Sequence, residues 1–299
     1  MKHRQHHPNG NQQMAYHMSL FFHMPNNTNK TVQFMDFIYL SQVVQGLCIK
    51  AEAEHYRRLL SEEDALTRGT LYWQLNDIWQ AQSWASVQYD LSWKILHHYM
   101  KTVYQSLLVS AYQYEGYIGV YVVNDDAPST SVDYVLNILV VSWDKGNVVK
   151  DFKMANTSRG FTGVRVFNER PATVFNGTSS TDSFLYMVLS DAKSGAQLAT
   201  NWFFPSNFTQ VKLQQPNIQA TNFKQTSSNS VAFTISSSAA APFVYLQTSL
   251  TGNFNDNGFL MMPSSVMIYN LTFTSVANFS ASNFQKQLLI RTVVDTYSK

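Results

Sequence analysis

The chain has 299 residues, room for roughly two domains at ~100–200 residues each, and 45% of them are apolar against 13% charged. That balance excludes a disordered tail, and a formal net charge of +2, with one basic cluster from Lys2 to Arg4 and no interleaved aromatic rings, argues against a nucleic-acid partner. The single cysteine, Cys48, excludes an intrachain disulfide and a thiolate metal site.

The N-terminal MKHRQHHPNG is charged and His-rich with no apolar segment behind it, so it reads as neither a secretory signal nor a transit peptide. His3, His6 and His7 have no carboxylate or cysteine at ligand spacing, which predicts no metal. From about Val32 to Leu59 apolar residues recur at helical spacing, with Phe34, Phe37, Ile38, Val44, Leu47, Cys48 and Ala51 on one face and Cys48 as a small buried hydrophobe. Glu52 and Glu54, two apart, fall on different faces of that helix and do not form a pair. Glu62, Glu63 and Asp64 read as a solvated loop.

Gly69 to Asp77, GTLYWQLND, is a short aromatic run that predicts a buried strand followed by a loop. A second helix covers Leu91, Ile95, Leu96, Tyr99 and Val103, with His97 and His98 packing or capping it. Helix, strand, helix is the order in the last turn of an α/β barrel, where the loop after a strand sits at the face on which sites are built. No uninterrupted apolar run approaches the ~18–20 residues of a membrane helix, which predicts no bilayer span.

Beyond residue 108 the period becomes two, as Ile118, Val120 and Val122 alternate with Tyr117, Gly119 and Tyr121, and Leu136, Ile138 and Val140 with Val135, Asn137 and Leu139. Turn signals at Asn124–Asp126, Asp144–Asn147, Ala192–Gly195 and Asp256–Gly258 punctuate these runs, the pattern of antiparallel sandwiches. Pro205 to Pro216 reads as a boundary between two such units. Seven N-x-S/T triplets open at Asn26, Asn29, Asn156, Asn176, Asn207, Asn270 and Asn278, candidate surface glycosylation sites that favour the secretory pathway.

The stretch Gly69 to Tyr89, GTLYWQLNDIWQAQSWASVQY, carries the strongest functional signal. Trp73, Trp79 and Trp84 stand near Asn76 and Asp77, a mixture suited to a sugar: flat aromatic faces cover the C–H surface of a pyranose, while amides and carboxylates bind its hydroxyls. Because strand side chains alternate, Tyr72, Gln74 and Asn76 are expected on one side and Trp73 and Leu75 on the other.

The same stretch resembles the eighth barrel strand and following loop of the lysosomal-type β-mannosidases of glycoside hydrolase family 2. HRQHHPNGN from His3 to Asn11, EAEHYRR from Glu52 to Arg58, SWKILHHYM from Ser92 to Met100, APFVYL from Ala241 to Leu246 and FNDNGFLM from Phe254 to Met261 agree in the same order. Gln82 departs from the family, which usually has proline there.

The resemblance implies a multidomain α/β plus all-β protein: the C-terminal remnant of a (β/α)8 TIM barrel over 1–107, then immunoglobulin-like β-sandwiches over 108–206 and 207–299. It implies retaining exo-hydrolysis of terminal β-linked mannose from mannose-terminated glycoprotein oligosaccharides in a lysosomal or secretory lumen, by two glutamates ~5–5.5 Å apart and without a cofactor. In the family both glutamates precede the HRQHH segment, so the catalytic pair is expected upstream of Met1, the start is expected to be truncated, and the 299-residue chain is expected to be inactive alone. By resemblance Trp73 belongs to the floor of the sugar subsite, Asn76 and Asp77 hold polar contacts or brace the loop, and Trp79 and Trp84 are further candidates. The rival reading is a non-catalytic β-sandwich module that binds a glycan or a protein. A remnant barrel leaves Phe34, Phe37, Ile38 and Val44 short of partners, which predicts a soft first hundred residues.

Overall fold

A computed structural model of the chain describes residues 7–65, 67–80, 82–263 and 265–297. His3 and His6 lie outside the described residues. Three helices come first: α1 (Gly10–Phe21), α2 (Lys30–Arg58, extended by a 3-10 turn at Leu59–Ser61) and α3 (Ile95–Val103). Asn29 caps α2, its Oδ1 accepting from the N–H groups of Thr31 at 3.0 Å and Val32 at 3.3 Å, which satisfies two of the donors a helix start leaves open. Gly46 lets α2 and α3 approach closely: a Cβ there would stand 3.0 Å from the ring of Tyr99.

The buried face of α2 differs from the one its apolar residues suggest. Tyr39, Leu40, Val43, Val44 and Ala53 are buried together with Asp36, Lys50, Glu54, Arg57 and Arg58, whereas Phe34 and Cys48 are exposed and Phe37 and Ile38 half-buried. The polar groups can be buried because each finds a partner. Glu54 Oε1 meets Lys50 and accepts from Asn201 Nδ2 at 2.9 Å, while Glu54 Oε2 accepts from Ser110 Oγ at 2.7 Å. Arg58 Nη1 donates to that same Ser110 hydroxyl at 2.6 Å, and Lys50 Nζ lies 4.3 Å from the centre of the Trp202 ring. Burial alone pushes the Glu54 carboxyl up, but the Lys50 ammonium and the bonds from Lys50, Asn201 and Ser110 outweigh it and hold the group below its ordinary value. Asp36 pairs with Arg291 near the other end of the helix.

By length and composition, Lys30–Ser61 is long and apolar enough to cross a membrane, with a mean hydropathy of 1.3 over an 18-residue window, although polar residues interrupt its apolar run. A third of that window is buried, and the helix's paired charges face protein.

The strands follow in order: β1 (Leu107–Tyr114), β2 (Tyr117–Asn124), β3 (Ser131–Ser142), β4 (Val148–Arg159), β5 (Thr162–Glu169), a helical turn α4 (Pro171–Val174), β6 (Ser183–Asp191) and β7 (Gln197–Phe203). They form two antiparallel sheets, ordered β1-β2-β5 and β4-β3-β6-β7. Val109, Ile118, Val120 and Val122 from the first sheet meet Leu136, Ile138, Val140, Leu185, Met187 and Leu189 from the second in one core. The period of two in β2 therefore holds, yet its outer face is buried as well: Tyr121 and Val123 pack under Leu60 and Leu108. The β1–β2 hairpin turns at Glu115 and Gly116, with φ of 48° and 79°, the left-handed pair that a two-residue turn of type I′ requires.

A third group of elements comprises β8 (Gln219–Ser227), β9 (Ser230–Ser236), β10 (Ala241–Gln247), β11 (Gly252–Phe254), β12 (Phe259–Met261), β13 (Tyr269–Ser275), α5 (Ala281–Gln287), β14 (Leu289–Arg291) and a 3-10 turn at Val293–Thr296. A sheet ordered β11-β13-β9-β8 faces a second ordered β12-β10-β14, and Phe284 on α5 closes the core between Phe233 and Phe273 at ring distances of 5.4 and 5.0 Å. The segment from Pro205 to Pro216 is no free tether: Phe208 and Val211 are buried in a central cluster with Phe22, Tyr39, Tyr99, Trp143 and Phe243, where helices and both β groups meet.

Candidate functional site

The run from residue 69 to 77 does not form the expected buried strand. It makes a single parallel bridge, Asn76 to Val87, and its bonds run to the returning loop: Ser86 N–H to Gln74 C=O at 3.0 Å, Val87 N–H to Leu75 C=O at 2.8 Å, and Asp77 N–H to Val87 C=O at 2.9 Å. A ladder needs extended neighbours to exchange N–H and C=O groups, and here two residues of one loop provide them. Alternation survives from 72 to 75, where Tyr72 and Gln74 are half-buried and Trp73 and Leu75 exposed; Asn76 breaks it by being exposed too. The Trp73–Gln74 peptide is cis.

Trp73 is 71% exposed, Trp84 66% and Trp79 43%, all within the 73–84 segment, in which the exposed Asn76 donates its amide to the Asp77 carbonyl at 3.2 Å. Asp77 turns inward. It is buried, its Oδ2 lies 3.0 Å from Lys94 Nζ and its Oδ1 accepts from the Ser83 hydroxyl, so the carboxylate ties the 78–83 loop to the start of α3. Of the two roles foreseen for Asp77, the geometry fits that of a brace.

Three residues that sequence reasoning missed hold the platform. Ser86 is buried, and its Oγ donates to Leu75 C=O at 3.0 Å while lying 2.8 Å from the Tyr72 hydroxyl and 3.0 Å from His97 Nδ1. Gln45 on α2 donates to Trp84 C=O at 2.9 Å, and Lys94 neutralises Asp77. The sequence held no signal for Ser86 among many serines; for Lys94 the only hint was its place just before the second helix. Burial lowers the His97 pKa, and burial with repulsion from His97 and Lys101 takes His98 down to about 3, so both imidazoles are neutral near neutral pH. Trp93 packs on both, with ring centres 4.6 and 5.3 Å away.

All seven sequon asparagines are exposed, Asn29 with its side chain engaged in capping. Elsewhere, an apolar cavity of about 350 Å3 between α2 and β7 is lined by Phe21, Leu47, Cys48, Trp202, Phe204 and Asn207; the tryptophans at 73, 79 and 84 do not line it.

Exposed indoles on a loop braced from behind offer flat faces on which the C–H face of a pyranose can stack. Over 99% of its length the chain is 34% identical to a protein of Mus musculus named β-mannosidase, and 32% identical to its counterpart in Capra hircus. The chain is similar to part of these β-mannosidases. It spans about a third, 34%, of the length of these curated relatives. A family of Ig-fold domains found in mannosidases matches residues 213–296, which run from just before β8 to the last 3-10 turn. Among solved structures, a β-D-mannosidase of Dictyoglomus thermophilum superposes with a TM-score of 0.77 at 21% identity, over 98% of this chain and 33% of that chain. An exo-chitosanase of Amycolatopsis orientalis does so at 0.62 with 18% identity over 86% of it and 33% of that chain. At these identities the two superpositions speak for the fold.

Proposed function

We propose that this chain is the C-terminal part of a retaining β-mannosidase that removes terminal β-D-mannose from glycoprotein oligosaccharides in a lysosomal or secretory lumen. The observation that carries the reading is the braced aromatic surface at Trp73, Asn76 and Trp84, with Trp79 on the same loop, in a chain whose named relatives are β-mannosidases. In this reading Trp73 floors the subsite for the terminal sugar and Asn76 meets a hydroxyl. The acid and the nucleophile, two carboxyls ~5–5.5 Å apart, come from the part of the protein to which these 299 residues do not correspond. Residues 1–107 are then the last turn of the catalytic barrel, and 108–206 and 207–299 two immunoglobulin-like sandwiches. Two separate sheet-on-sheet cores support that division, and the shared aromatic cluster explains how the units are held together. The seven exposed sequons favour a glycosylated, lumenal protein.

The test is a hydrolysis assay of the 299-residue chain with p-nitrophenyl β-D-mannoside. No turnover above the uncatalysed rate is expected. Turnover that survives purification and disappears in Trp73→Ala would contradict this placement of the carboxyls.

A further inference from the structure

A second cleft, of about 280 Å3, opens between the 88–93 loop and the connection from β10 to β11; Gln88, Ser92, Trp93, His98, Thr248 and Thr251 are among the residues lining it. Its walls are positioned by bonds that cross between the two segments. Asn253 Oδ1 accepts from the Trp93 N–H at 2.8 Å, and Asn253 Nδ2 donates to Leu91 C=O at 3.3 Å. The loop itself is fixed by Asp90, whose Oδ1 accepts from the Ser92 N–H at 3.0 Å and the Ser92 hydroxyl at 2.6 Å. His98 and Asn257 are the buried polar residues of its lining, each 3% exposed.

The chemistry of the lining selects the ligand. Apart from Asp90, which spends one oxygen on Ser92, and the neutral His98, the polar side chains are mostly hydroxyls and amides, and Trp93, Tyr245 and Phe254 supply the aromatic surface. A cleft without a cation does not recruit a phosphate or a carboxylate, and a hydroxyl-lined one gains little from an apolar ligand. We propose that this cleft binds a neutral hexose residue as a second carbohydrate site, separate from the Trp73 surface, with its hydroxyls meeting the hydroxyl and amide side chains of the lining. The choice of mannose as the hexose rests on the proposed β-mannosidase function; the cleft's preference for a neutral polyol does not.

Isothermal titration of the 299-residue chain with β-1,4-mannobiose, and separately with methyl β-D-mannopyranoside, tests the proposal. Saturable binding is expected, weakened at least tenfold in Thr251→Trp, which places a ring at an exposed position on the rim without touching the core. Absence of saturable heat, or binding kept in Thr251→Trp, overturns the second site. Neither result touches the proposed hydrolysis, which is read by turnover.

Discussion

Asp77 and Lys94 show how a side chain can shape a binding surface while facing away from it. With both groups buried at 3.0 Å, removing the carboxylate strands an ammonium in the protein interior. Asp77→Ala is expected to cost about 3–5 kcal/mol, the range found when one partner of a buried pair is deleted. Urea denaturation followed by tryptophan fluorescence measures it, and a loss below ~1 kcal/mol would place the pair in the class of solvent-screened surface bridges. His98 gives a pH signature. Its folded pKa, about 3, lies below its ordinary 6.5, so its contribution to stability is complete above 6.5 and is lost as the pH falls toward 3. Between pH 7.5 and 5 the wild type should lose about 2 kcal/mol that His98→Gln does not, at 1.36 kcal/mol per unit below 6.5. Thermal melts of both proteins at the two pH values provide the comparison; equal losses would mean that His98 is protonated in the fold.

At the scale of elements, what the sequence conveyed depended on whether the information was local. Helix α2 was legible because its apolar spacing is a property of neighbouring turns, but the choice of buried face was not. Lys50 and Glu54 are buried through Ser110 and Asn201, far along the chain, and Asp36 through Arg291. The exposure of Cys48 follows from the same rotation of the helix. Strands β2 and β3 were legible from their period of two; the second buried face of β2 was not, because Leu60 covers it from another element. GTLYWQLND reads as a strand by composition, yet a strand also needs partners, which sequence does not reveal. The tryptophans of the candidate surface stood out as a cluster, whereas Ser86, Gln45 and Lys94 behind them had no visible pattern. Anchoring of α2 changes the expected weak point as well. Since Tyr39 donates to Phe243 C=O at 2.7 Å and Tyr99 to Gly258 C=O at 2.6 Å, the helices are bonded to the last β group, and the first hundred residues are not expected to come away as a unit. Limited proteolysis is expected to cut first within residues 62–84, where Leu71, Trp73 and Ile78 are exposed, leaving α2 bound to the C-terminal fragment. Early release of a piece ending near residue 105 would contradict it.

For the molecule as a whole, the central aromatic cluster and the buried Glu54 network make one body of three groups of elements. In the proposed enzyme these 299 residues present one wall of the sugar site at a set position, and the rest of the barrel brings the reacting carboxyls to it. The exposed face of α2, with Phe34 and half-buried Phe37 and Ile38, is the face available to that remainder. The decisive measurement is made on a chimera in which the two thirds of the mouse relative that this chain does not match are joined ahead of residue 1. It is expected to hydrolyse p-nitrophenyl β-D-mannoside, and Trp73→Ala in the chimera to lower kcat/KM by on the order of a hundredfold, about 3 kcal/mol of transition-state binding. A soluble, folded chimera without activity, or one whose activity is indifferent to Trp73, would show that these residues do not form the wall of a mannosidase site.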